Sequence, residues 1–146
     1  MISGLALSPF DFLDLSYRTD LGILTVRWLR AVTFEELRQG FTLALSVAQE
    51  RRAAYWLVDA RRRTELDATS SEWVAQKLLP EAAASLAPAA LHVAYLLSPA
   101  RAEQLRQDSD LRTVVVKAQD ASQPYRLHTF LDEGPATQWL LQAKQS

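Results

Sequence analysis

The sequence predicts an α/β fold, a mixed β-sheet of about five strands flanked by about four to five helices in one domain. Three observations predict it. Leu13, Leu15 and Tyr17 alternate, and Ile23, Leu24, Val26 and Trp28 follow after a Thr19–Gly22 turn, which reads as an N-terminal antiparallel hairpin. The run Tyr55–Val58 is unbroken and apolar, as strands covered on both faces are, and Leu91, Val93, Ala94, Tyr95, Leu96 and Leu97 read as the next buried strand. Between them lie stretches of helical period, so consecutive strands need crossovers and become parallel.

The first helix is predicted from Thr33 to about Arg51. Thr33 with Glu36 forms a capping box, and Phe34, Leu37, Phe41, Ala44, Leu45 and Ala48 recur at helical spacing. Gly40 inside it costs about 1 kcal/mol relative to alanine, so a close neighbour is expected to need the space. Asp59 ends the next strand. Thr69 and Glu72 repeat the capping-box pattern and place Ser70 and Ser71 in the first turn of a helix carrying Trp73, Val74 and Leu78. Pro80 is expected to end or kink that helix, with an alanine-rich turn continuing to Leu86. After the Leu91–Leu97 strand, Pro99–Arg106 reads as helix. Leu111–Val116 fits either a β-branched strand or a helix with Leu111, Val114, Val115 and Ala118 on one face, and helix is preferred. Tyr125, Leu127, Thr129 and Leu131 alternate as the last strand. Asp132 then caps a terminal helix bearing Ala136, Trp139, Leu140 and Ala143.

A chain of 146 residues, 49% hydrophobic, suits a single domain over 1–146. With 16 Lys+Arg against 17 Asp+Glu, the formal charge of -1 offers no global pull on nucleic acid. The absence of cysteine removes disulfides, thiolate nucleophiles and the common zinc frameworks, and His92 and His128 are too few for most metal sites, so no metal is expected. Four glycines provide no phosphate-cradling loop, and no cofactor is expected. Neither a signal peptide within Met1–Phe10 nor an apolar stretch of about 20 residues is found, so a cytoplasmic protein without a transmembrane segment is expected.

The stretch from Ala53 to Trp73 is the candidate site, because binding groups gather where strands end and the next helix begins. Asp59 sits at a strand end without a recognisable catalytic partner; it reads first as an acceptor of backbone or arginine hydrogen bonds. Arg61, Arg62 and Arg63 form either a solvated loop or an anion-binding fork. Ser70 and Ser71 lie where a phosphate would meet a helix N-terminus, although serine is also an ordinary first-turn residue. Trp73 stands one turn in, and Trp28, followed by Leu29, Arg30 and Ala31, is a candidate for a partner surface. Trp56 and Trp139 read as core, and the two histidines as structural.

The element order, with the Tyr55–Asp59 strand leading to a helix at Thr69, Ser70 and Ser71, resembles the STAS-like group, which includes the anti-sigma-factor antagonists. The ending Arg126-Leu127-His128-Thr129-Phe130-Leu131-Asp132-Glu133, then Ala136, Trp139 and Leu140, resembles small bacterial STAS-like proteins of unassigned function. In the antagonist branch a serine at this helix start is phosphorylated by a partner kinase; the resemblance implies Ser70 or Ser71 as that position. The branch has a short Asp-Ser-Ser-Gly-like turn, whereas about ten residues, three of them arginines, separate Asp59 from Ser70 here.

The resulting expectation is a non-enzymatic regulatory or protein-interaction module acting through residues 59–73, with Asp59, Arg61, Arg62, Arg63 and Trp73 meeting a protein partner or anion. The alternative is a domain binding a small anionic or lipid-like ligand in a cavity under Trp73, Leu78 and Leu79. No nucleophile, base and orienting group can be assembled for an enzyme. A homodimer is compatible with the chain, symmetric dimers being the commonest assembly.

Overall fold

The alternation of Leu13 and Leu15 with Asp14 and Ser16 decides the first pairing. In a computed structural model, which describes residues 5–63 and 67–145, β2 (Leu13–Arg18) runs antiparallel to β3 (Ile23–Trp28). Their turn closes with the Gly22 N–H on the Arg18 carbonyl at 2.7 Å, and Gly22 takes φ 71°, where a side chain would be strained. A two-residue strand β1 (Leu5–Ala6), too short to leave a pattern in sequence, pairs antiparallel with β2. β4 (Tyr55–Asp59), β5 (Leu91–Leu96) and β6 (Tyr125–Phe130) then add in parallel, giving a six-stranded mixed sheet in chain order β1-β2-β3-β4-β5-β6. The fold is α/β, as expected.

Helix α1 (Phe34–Arg51) starts on the predicted capping box, with both Thr33–Glu36 hydrogen bonds formed. It lies on the sheet face that carries Leu24, Val26, Trp28, Trp56, Val58 and Val93. Gly40 is required there. A Cβ on it would sit 2.5 Å from the Trp28 ring, and Trp28 is fully buried. Trp28 therefore belongs to the core and not to the partner surface proposed for it from sequence; Phe12, Phe41 and Gly40 enclose its ring.

The next helical stretch runs unbroken through Pro80 as α2 (Ala68–Trp73), a π-helical turn (Val74–Leu78) and α3 (Leu79–Leu86). Proline lacks an N–H and its ring crowds the carbonyl four residues back. The wider π turn just before Pro80 accommodates both: the Leu79 N–H reaches back to the Val74 carbonyl, and the Tyr125 hydroxyl donates to the Ala75 carbonyl at 2.8 Å. The expected break at Pro80 is thus a change of helical pitch. The helix begins on Asp67 and not on the Thr69–Glu72 box: the Asp67 carboxylate accepts the Ser70 N–H at 2.6 Å. Both residues are good caps, and the earlier one captures the turn.

Helices α4 (Pro99–Gln107) and α5 (Ser109–Ala118) follow β5, so the ambiguous 111–116 segment is helical. Leu111 packs with Ala60 and Leu97 in a small cluster beyond the strand ends. Helix α6 (Glu133–Gln145) covers the opposite face, where Ala136 and Leu140 pack on Ile23, Leu57, Ala94 and Leu96. Among the described residues no helix is long and apolar enough to cross a membrane.

Candidate functional site

Four parallel strands end on one side of the sheet, and the side chains there are organised around Asp59. This carboxylate is only 4% exposed. The β3–β4 register sets Arg27 directly beside it, and Arg27 donates to Asp59 Oδ2 at 2.5 Å. Arg61 turns back on the same group with its backbone N–H (3.0 Å), Nε (3.0 Å) and a terminal nitrogen (2.8 Å). Glu133, in the first turn of α6, joins both arginines, at 3.0 Å to Arg27 and 3.3 Å to Arg61. Two guanidinium groups and two carboxylates neutralise one another.

Burial pushes the Asp59 carboxyl up, but the Arg61 hydrogen bonds and the charges of Arg61 and Arg27 outweigh it and leave the group below its ordinary value of 3.8. Arg27 is pulled down by burial and held above its ordinary value by Glu133 and Asp59. This carboxylate therefore stays ionised and fully engaged, as a strand-end acceptor would. It ties β3, β4 and the start of α6 together.

The three consecutive arginines go to three places. Arg61 is committed to Asp59 and Glu133. Arg62 is exposed. Arg63 is 6% exposed, and its side chain meets the Tyr95 hydroxyl on the other face of the sheet. Burial raises the Tyr95 phenol, while the Arg63 charge and hydrogen bond act against the rise. Among the described residues no hydrogen bond joins any of these arginines to the side chains of Ser70 or Ser71; Thr64, Glu65 and Leu66 of the intervening loop lie outside the described residues.

Ser70 is 5% exposed, with its N–H on Asp67. A kinase would reach its hydroxyl only with α2 opened. Ser71 is half-buried and lines an apolar cavity of about 50 Å3 between the π turn, α5 and the sheet. Leu79 also lines that cavity, whereas neither Trp73 nor Leu78 does, so it lies deeper along the helix than the sequence suggested. Trp73 packs on the main core and meets Phe34 edge-on, ring centroids 6.0 Å apart.

Sequence reasoning missed Arg27, Glu133, Phe34 and Leu131. Phe34 shares the helical spacing of the apolar stripe of α1, yet it is 41% exposed at the first helical position. Leu131, just past β6, is 49% exposed. Both stand at the same end of the sheet as Arg62. The opposite face carries a ring cluster in which Trp139 meets His128 at 4.9 Å, His92 at 5.7 Å and Phe130 at 5.9 Å, and His92 stacks on Tyr55. Among the described residues no three histidines or carboxylates gather as a metal site would need.

These features define an α/β domain with an internally neutralised ionic cluster at the carboxyl ends of its parallel strands. No family model, curated protein or solved structure matches the chain.

Proposed function

We propose that the chain is a non-enzymatic protein-interaction module of the STAS-like kind, acting through the loop and helix start at 59–73 and the adjoining rim of the sheet. The antiparallel hairpin followed by strand–helix units supports the family reading. The observation that carries the interaction reading is the exposure of Phe34, Leu131 and Arg62 around the carboxyl ends of the parallel strands, beside a set of charges that are already paired. Exposed aromatic and aliphatic side chains next to an exposed guanidinium are what a protein partner uses as anchors. Arg61 and Asp59 shape this rim, and Arg62 meets the partner.

A photo-cross-linking side chain introduced at position 62 or 34 in the native host tests the reading. One partner protein is expected from both positions, lost when Leu131→Ser is added, with nothing recovered from position 89 at the opposite end of the sheet. The same proteins from all three positions would contradict it.

A further inference from the structure

The sheet ends on one side in the two-residue β1 and on the other in the six-residue β6, which pairs with β5. The Leu97 N–H donates to the Phe130 carbonyl at 2.8 Å, and the His92 N–H to the Ala54 carbonyl at 2.8 Å. In a parallel ladder successive residues bond to opposite sides. Arg126, His128 and Phe130 therefore bond to β5, while Tyr125, Leu127 and Thr129 turn their N–H and C=O groups to the open edge. Arg126 covers the start of that edge, donating to the Tyr125 carbonyl at 3.1 Å and to the Gln123 carbonyl at 2.9 Å. Among the described residues nothing hydrogen-bonds the outward groups of Leu127 and Thr129. Leu127 keeps 7% of its surface exposed where Val93, its partner on β5, keeps none. Outward donors and acceptors at strand spacing are a template for a further strand.

The side chains beside that template decide what an added strand must carry. Leu127 and Thr129 line the apolar cavity together with Val114, Val115 and Ala118 of α5. At about 10–15 Å3 for each water-sized group, a space of about 50 Å3 holds about three to five heavy atoms, the size of a valine or leucine side chain. On the other face of β6, Arg126 and His128 are exposed. We propose that the β6 edge binds an extended peptide in which small apolar and acidic residues alternate. Every second side chain of such a strand lies on the face of Leu127 and Thr129 and fills the cavity. The residues between them stand beside Arg126 and His128, where their carboxylates pair with the guanidinium. The β6 strand of a second copy does not meet this requirement, because Tyr125–Phe130 contains no carboxylate. The Tyr125 hydroxyl, fixed on the Ala75 carbonyl, holds the π turn that forms the inner wall of the cavity. The contacts use none of Phe34, Arg62 and Leu131, on which the partner rim rests.

The test is an amide-resolved NMR titration of the full chain with the peptide acetyl-Thr-Glu-Val-Glu-Val-Thr-amide and with its lysine counterpart, acetyl-Thr-Lys-Val-Lys-Val-Thr-amide. The glutamate peptide is expected to bind at least about fivefold more tightly, with shifts centred on Leu127, Thr129 and Val115. In the free chain the Leu127 and Thr129 amides should exchange with solvent quickly, and saturation with the glutamate peptide should slow them at least about tenfold. Arg126→Glu should reverse the preference between the two peptides, and Val115→Phe, which fills the cavity, should weaken the glutamate peptide several-fold. N-methylation of the four central residues of the glutamate peptide, which leaves the protein untouched, should abolish binding. Equal affinity for the two peptides, shifts centred on Phe34 and Arg62, or no binding of the glutamate peptide below about 10 mM would overturn the proposal. So would slow exchange of the Leu127 and Thr129 amides already in the free chain, which would mean that the edge is covered or taken by a second copy.

Discussion

The two faces of the sheet are stabilised in different ways. One face is covered by α1, the α2–π–α3 stretch and α4–α5, and it buries Trp28, Trp56 and Phe41 completely. The other is covered by α6 alone, keeps Tyr55, Phe130 and Trp139 only partly buried, and is closed at the strand ends by the Arg27–Asp59–Arg61–Glu133 cluster. A single helix cannot shield the whole width of the β3–β6 surface, so polar groups must satisfy themselves where its cover ends. The crowded face sets stability, and the thinly covered face sets where charges are arranged.

Truncation on each face tests that contrast. Phe41→Ala should cost about 3–5 kcal/mol in denaturant unfolding, because α1 and α3 are wedged by neighbours and cannot collapse onto the void. Leu140→Ala, equally buried, should fall near the lower end of the range, about 2 kcal/mol, since α6 is free to shift inward. Similar costs at the two sites would show that the faces are equally constrained.

The ionic cluster comes next. Removing one partner of a buried pair costs about 3–5 kcal/mol, but Arg27 and Arg61 keep Glu133 and partial contact with water, so Asp59→Asn should cost about 2–3 kcal/mol. The folded pKa of Asp59 is lowered, so its contribution is complete above pH 3.8 and is lost as pH falls through the folded value. Glu36, held at about 2 by the Arg30 hydrogen bond and the Thr33 backbone, adds stability that is complete above 4.5 and disappears as pH falls to about 2. Acid titration of unfolding should therefore steepen below pH 4.5, and the Asp59→Asn chain should lose part of that slope. An unchanged slope would remove Asp59 from the account. Thr33→Ala should cost about 1 kcal/mol through the lost cap, and Arg62→Ala less than about 0.5 kcal/mol.

What sequence could show follows from how local each signal is. The Thr33–Glu36 box, the doubly covered Tyr55–Val58 run and the space demanded at Gly40 depend on near neighbours or on side-chain size, and the structure agrees on all three. The ionic cluster depends on strand register and on Glu133, which lies 106 residues from Arg27. Only the alignment of β3 with β4, which places Arg27 opposite Asp59, contains a usable clue. Arg61, Arg62 and Arg63 look like one basic patch because they are contiguous. At the mouth of a sheet, successive side chains are directed to different faces, and each arginine acquires a different environment. The proline rule, which predicts an end or a kink at Pro80, assumes α-helical pitch, and the π turn relaxes it.

The central claim is that Arg61 is internal architecture while Arg62 belongs to a partner. The most direct measurement pairs urea unfolding with cross-linking efficiency from position 34 for Arg61→Ala and Arg62→Ala. The account predicts that Arg61→Ala lowers the unfolding midpoint and that Arg62→Ala leaves it unchanged while reducing the cross-link at least several-fold. A stable Arg61→Ala chain together with a full cross-link from Arg62→Ala would contradict it.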